Sequence, residues 1–476
     1  MLVFAFVFGL IGLSVCLVNW RAGILVCVLI GFLQDPLRKF IPGEPVILVV
    51  LVGVFVGATV IGMWRETGPL VLEPLIRWQE ALKFRLLAFL VLVFVQSIIS
   101  LLVYESAILT CVGLMSYLAP LVALSVTYSY FRNLNDFSLL ISLYLFAAVL
   151  ICVGVFLSFF GLNWRILQEV GSGLVIYDIG TVLKAHPGFM RASEIASWHL
   201  GAAVCFMIIV VNVKRDTRTS VIMGFLITMF VAAILMTGRR KMIMQILQFL
   251  VFYSVLLLYF KNAISGKLVV AIAAGAMAFW FGIEIIFPGG YGSQFELYAQ
   301  RGATVFSDAL GRMYQLGYSP IEWAINRVGF FGAGVGVASQ GASMFGGGSQ
   351  VIGGAGEGGL GKITVELGVP GLVLIFALSM GLFKYMLKIL AYVAQQNDES
   401  FRIFAGIAAF LAANVPTFIV ASQVYGDLFV LLILGWLLGL LLAVPRVAAE
   451  YNETVHRPLL RENPVIDRHI GNVVRY

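Results

Sequence analysis

The chain has 476 residues, 61% of them hydrophobic and 12% charged, with mean hydropathy +0.99 and a formal net charge of +7. Soluble domains carry charge on about a quarter of their residues, so this composition excludes an ordinary water-soluble protein and fits a chain that crosses a bilayer repeatedly. The basic excess calls for no nucleic acid, because lysine and arginine concentrated on one membrane face account for it.

Apolar runs close to the length that spans a bilayer, about 20 residues, occur near 2–19, 22–37, 46–64, 86–104, 106–128 and 138–160. Others follow near 197–213, 219–238, 242–260, 268–286, 369–387, 402–422 and 425–444. The expected fold is an all-α, polytopic transmembrane bundle of about 12–14 spans. It divides into N-terminal helices in 1–160, an outward loop at 161–196, central helices in 197–286, a large outward glycine-rich loop at 287–368 with short surface helices, C-terminal helices in 369–444 and an inward tail at 445–476. The first run has no basic stretch or small-residue cleavage pattern, so a retained span is expected. Cys16, Cys27, Cys111, Cys152 and Cys205 lie in apolar runs without metal-like spacing and read as packing residues.

The large loop holds 21 of the 50 glycines and is the longest stretch free to meet an aqueous substrate, so function is sought there first. With that loop outward, 19 of the 31 basic residues fall on inward segments, as the positive-inside bias requires. The other 12 oppose the bias: Arg38, Lys39, Arg165, Lys184 and Arg191; the triplet Arg239, Arg240 and Lys241; and Arg301, Arg312, Arg327 and Lys362. The triplet sits in a short turn between two apolar runs. It reads either as a partner for lipid headgroups or as an anion site in which guanidinium groups grip phosphate bidentately.

In the first outward loop, Arg191 and Glu194 have the spacing of a helix-face ion pair, and His199 reads as a satisfied buried polar residue. The pattern over 303–328 predicts two short surface helices separated at Ser319 and Pro320. The glycines of 329–336 suggest a loop whose backbone approaches a ligand.

Thr237-Gly238-Arg239-Arg240 closing a span, Arg191 in the preceding outward loop, Trp323 through Gly336, and Glu366-Leu367-Gly368-Val369-Pro370-Gly371 entering the next helix occur in an order that resembles the O-antigen polymerase and O-antigen ligase superfamily, over roughly residues 185–385. Those proteins are bacterial inner-membrane glycosyltransferases of the C type that use undecaprenyl-diphosphate-linked sugars at the periplasmic face. Ligases of the family carry a His-Asn pair nine residues before the motif's glutamate. Nine residues before Glu366 stands Glu357, and 287–368 contains no histidine, which favours a polymerase joining lipid-linked repeat units. Ligase-type transfer to a lipid or other acceptor is the alternative, and a lipid-linked sugar or anion transporter the alternative of another class.

The resemblance implies that Arg191 and Arg239 or Arg240 hold the diphosphate, that Arg301 or Arg312 assists, and that Glu357 is the base; Glu194, Lys241 and Arg327 complete the substrate-binding set. Glu357 also reads as a partner of Lys362 or Arg327 that orders the loop, and Glu366 as a carboxylate favoured at a helix start. With no Asp-x-Asp and no His or carboxylate cluster at metal spacing, a reaction without metal or cofactor is expected. Implied partners are the lipid-linked oligosaccharide, membrane lipids, and a flippase and chain-length regulator of the same pathway; no nucleic acid is expected. A transporter should carry charges or Gly/Pro breaks midway along several spans, whereas the ionisable residues here gather at one face.

Overall fold

The structure is a computed structural model; the described residues are 2–45, 48, 50–68, 80–170, 175–178, 181–214, 216–261, 295–299, 301, 311–339, 342 and 358–462. The helices are α1 (Leu2–Val18), α2 (Trp20–Phe40), α3 (Leu51–Thr67), α4 (Glu80–Tyr104), α5 (Ala107–Tyr130) and α6 (Leu134–Phe159). After an antiparallel hairpin, β1 (Val175–Asp178) and β2 (Thr181–Lys184), come α7 (Ser193–Lys214), α8 (Thr217–Met236), α9 (Lys241–Lys261), α10 (Ser319–Val328), α11 (Gly359–Gln396), α12 (Asp398–Val420) and α13 (Leu428–Glu462).

The chain is an all-α polytopic bundle. Ten helices among the described residues are long and apolar enough to cross a membrane, and α1 and α3 are apolar helices of 17 residues each. The expected span at 268–286 lies outside the described residues. The break between α4 and α5 is real: Glu105 takes a left-handed φ of 49°, and the Ser106 hydroxyl caps α5 by accepting from the Leu109 amide.

Helix α7 is the axis of the bundle. It is buried over 89% of its apolar window and packs against α6, α8, α9 and α12, as expected of a helix that is apolar all round. Helices α5 and α13 run side by side and parallel, because Gly435 seats on Pro120 and Ala123, and Gly439 on Leu124. Small residues at such a seam let membrane helices approach closely.

The parallel and antiparallel contacts bring two groups of helix ends together. Arg21 reaches the Tyr130 carbonyl, Arg446 those of Tyr128 and Phe131, and Arg402 pairs with Asp398 at one end. Lys39, Arg191, Ser193, Arg239 and Asp427 meet at the other. The two groups of basic residues thus sort to opposite ends.

Three expectations about the glycine-rich region are corrected. The helix of α10 does not break at Ser319 and Pro320: helical backbone runs from 311 to 328 through a π-helical turn, Tyr314–Tyr318. Pro320 explains the turn, since it has no N–H to give to the Leu316 carbonyl and its ring crowds that group. Glu366 does not start a helix. Helix α11 begins at Gly359 and kinks at Gly368, whose φ is 70°, just before Pro370.

The third correction concerns 329–336, where three of the four glycines serve backbone packing. Gly332, Gly334 and Gly336 have φ of 83°, 106° and 89° and lie against Gly368, Ser100 and Leu109 respectively. Val335 N donates to the Gln96 carbonyl at 3.3 Å, Ala333 N to that of Val365 at 2.7 Å, and Val369 N to that of Phe330 at 2.9 Å. Glu366, fully buried, locks the segment by accepting from the Tyr117 hydroxyl at 2.6 Å, the Ala338 amide at 3.1 Å and the Ser339 hydroxyl at 3.4 Å.

Candidate functional site

The turn between α8 and α9 is built by its sequence. Thr237 ends α8 with its hydroxyl donating to the Ile234 carbonyl at 2.6 Å, and Gly238 takes φ 71°, the left-handed conformation that closes many helices. The chain reverses at once, so Arg239 and Arg240 precede the first residue of α9, Lys241. The positive pole of α9 therefore points where three cations already stand.

These residues line a polar cavity of about 190 Å³ together with Arg301 and Arg312. Glu194, in the first turn of α7, and Gln423, from the turn between α12 and α13, complete the wall. Six of the nine sequence candidates thus meet at one place: Arg239, Arg240, Lys241, Arg301, Arg312 and Glu194. Five are cations and one is a carboxylate.

The carboxylate holds one cation in place. Glu194 Oε1 lies 3.1 Å from Arg239 Nη1, and Gln423, with its amide nitrogen turned to the carboxylate, donates to its two oxygens at 2.7 and 2.5 Å. Arg239 Nε donates to the Ser193 hydroxyl at 2.9 Å, while Ser193 donates through its amide and hydroxyl to Glu169 Oε1 at 3.2 and 3.3 Å. Burial pushes the Glu169 carboxyl above its usual range, with the Ser193 bonds and Arg239 opposing. This chain of contacts ties the first loop, α7 and both neighbouring turns into one support for the cavity.

Beside it, and sharing Arg240, Lys241 and Arg312, is a second cavity of about 80 Å³. Its wall is otherwise mostly apolar: Met244 and Gln248 on α9, Met313, and Pro416, Thr417 and Val420 on α12. A cationic chamber thus lies beside a mostly apolar cavity between two membrane-length helices, the two sharing three side chains.

The remaining candidates lie elsewhere. Arg191 does not pair with Glu194 and does not line the cavity. Its Nη1 sits 2.6 Å from Asp427 Oδ2 and 3.4 Å from Asp35 Oδ1, and its amide donates to Asp35 Oδ2 at 3.0 Å. Burial alone depresses this guanidinium, but the carboxylates of Asp427 and Asp35 more than offset it and raise it above the usual value. Arg327 is exposed at the end of α10, and Glu357 lies outside the described residues.

His199 is buried, with Nδ1 2.9 Å from the Tyr144 hydroxyl; its Nε2 has no hydrogen-bond partner among the described residues. Among the described residues, no three His, Cys, Asp or Glu side chains converge as metal ligands.

Sequence reasoning missed Gln423, Ser193 and Glu169. The signal for Gln423 was a polar residue in the short connection between two apolar runs, on the same side as the arginine triplet. Compared with protein-family models and with curated proteins, the chain matches none.

Proposed function

We propose that the chain is a membrane glycosyltransferase of the polymerase type, which joins undecaprenyl-diphosphate-linked repeat units at the outer face of a bacterial inner membrane. The observation that carries this reading is the cationic cavity lying beside a mostly apolar one and sharing three side chains with it, a pairing that suits an amphiphile with an anionic head and a long hydrocarbon tail. Arg240, Arg312 and Lys241, at the junction, would hold the diphosphate where the tail departs between α9 and α12.

The residues suit displacement at a sugar carbon. An acceptor hydroxyl attacks the anomeric carbon, the bond from that carbon to the diphosphate oxygen breaks, and the electron pair leaves with the diphosphate. Negative charge on the diphosphate rises as that bond breaks, so fixed guanidinium groups bind the transition state more strongly than the bound donor. Glu194 keeps Arg239 in position. The role of base is assigned to Glu357 from its place in the sequence, where it would contribute about 10²–10⁴-fold.

The test uses the purified full chain in vesicles with lipid-linked repeat units. Extension of the oligosaccharide, reduced in Arg240→Ala and Arg312→Ala, supports the proposal. Movement of the lipid-linked sugar across the bilayer without extension would make the chain a transporter, and full extension by both variants would remove the cavity from the reaction.

A further inference from the structure

We infer that Ser193 is a positioning residue of the cationic cavity: its hydroxyl, oriented by Glu169, fixes the plane of the Arg239 guanidinium and leaves Nη2 to the bound diphosphate. The inference deepens the proposed function and rests on it for the identity of the anion as a diphosphate.

Arg239 lines the cavity with a quarter of its side chain exposed. Two of its three guanidinium nitrogens are held: Nε donates to Ser193 Oγ at 2.9 Å, and Nη1 lies 3.1 Å from Glu194 Oε1. A guanidinium is planar and its donors form a rigid fork, so contacts at two nitrogens set the direction of the third. Among the described residues Nη2 has no partner. It is the nitrogen that remains for an anion in the cavity.

Ser193, fully buried, opens α7. A serine at a helix start commonly caps that helix, but this hydroxyl bonds outside it. A hydroxyl has one hydrogen to give and lone pairs that accept. The hydrogen goes to Glu169 Oε1 at 3.3 Å, which leaves the oxygen to accept from Arg239 Nε. Turned toward the arginine instead, it would set two donors against each other. Glu169 therefore makes Ser193 an acceptor on the side where Arg239 lies.

Glu169 is held in turn. Its Oε1 also accepts from the Ser193 amide at 3.2 Å. On either side of it, Val170 N donates to the Arg191 carbonyl at 2.9 Å and Lys39 Nζ to that of Ile166 at 3.0 Å. Neither Ser193 nor Glu169 lines the cavity, so both act through Arg239. A donor fixed beforehand where charge develops needs no reorganisation during the reaction.

The experiment uses the full chain in nanodiscs, inorganic pyrophosphate as the probe, and isothermal titration of Ser193→Ala, Arg239→Ala and the double variant. We expect Ser193→Ala to weaken pyrophosphate binding about tenfold, as for one hydrogen bond to a charged group. In the Arg239→Ala background the same change should alter affinity less than about twofold, because the serine then has no arginine to orient. Glu169→Leu should weaken binding in the same arginine-dependent way, and it carries the test where Ser193→Ala does not fold. Glu169→Gln should retain binding, since an amide oxygen can accept both Ser193 bonds.

An equal loss from Ser193→Ala or Glu169→Leu with and without Arg239 overturns the inference, since the residue would then act on the fold and not through the arginine. So does a wild type that binds no pyrophosphate. If the wild type binds pyrophosphate with this coupling but extends no lipid-linked oligosaccharide, the proposed function fails while Ser193 keeps its place as the residue that orients Arg239 toward an anion.

Discussion

Arg191 Nη1 stands 2.6 Å from Asp427 Oδ2, joining the segment before α7 to the start of α13, with Asp35 of α2 on its other side. The arginine that sequence order assigns to a substrate instead fastens three parts of the bundle. Removing it would strand two buried carboxylates, so Arg191→Ala should lower stability by about 3–5 kcal/mol. Thermal unfolding in detergent checks this, and adding Asp427→Asn should restore part of the loss. A variant with wild-type unfolding and no activity would return Arg191 to the substrate.

The cationic cavity predicts a salt-sensitive, arginine-dependent anion affinity. Arg240→Ala and Arg312→Ala should each weaken undecaprenyl diphosphate binding about ten- to a hundredfold, the range for one charge-assisted contact. Lysine at either position should recover only part, because it lacks the planar fork. Titrations at low and high salt check both statements.

Under the proposed function, the neighbouring cavity takes the lipid tail. Val420 lines it on α12, so Val420→Trp should reduce affinity for undecaprenyl diphosphate at least about tenfold by filling the space the tail needs. Inorganic pyrophosphate, which has no tail, should bind this variant as it binds the wild type. Isothermal titration with both ligands distinguishes the outcomes.

A pH effect follows from His186, buried between the rings of Phe159 and Tyr298, with Nδ1 3.1 Å from the Ser158 hydroxyl. Burial, with Lys184 adding, pushes its pKa down from 6.5 to about 4. Between those values the unfolded chain binds more protons, so the stabilisation is complete above pH 6.5 and is lost as pH falls through 4. The loss is at most about 3 kcal/mol. Unfolding midpoints from pH 7 to pH 4 should show this component in the wild type and not in His186→Phe.

The glycines of 329–336 differ in what they permit. Gly336, at φ 89°, would carry a Cβ into the Leu109 carbonyl, whereas Gly329, at φ 85°, has open space. Gly329→Ala should cost about 1–2 kcal/mol, for the left-handed backbone alone. Gly336→Ala should cost clearly more and render 329–339 sensitive to protease, since the segment must then lift from α4 and α5. Equal effects would contradict the packed arrangement.

The sequence by itself determined the class of fold. Apolar length fixes a spanning helix wherever backbone groups must bond internally, and Thr237, Gly238 and the cations after them specify a tight turn carrying charge. The basic residues that opposed the positive-inside bias were also legible, and five of them line one cavity.

Only the tertiary structure decided which of these charges line a cavity and which meet each other. Asp35 and Asp427 lie in or beside apolar runs, far from Arg191 in the chain, so linear spacing gave no warning that they would occupy it. Gln423 and Ser193 joined the cavity, and the glycines turned toward helices, for the same reason. Local rules act over a few residues, whereas the partner of a buried charge or a bare backbone is set by which helices pack together.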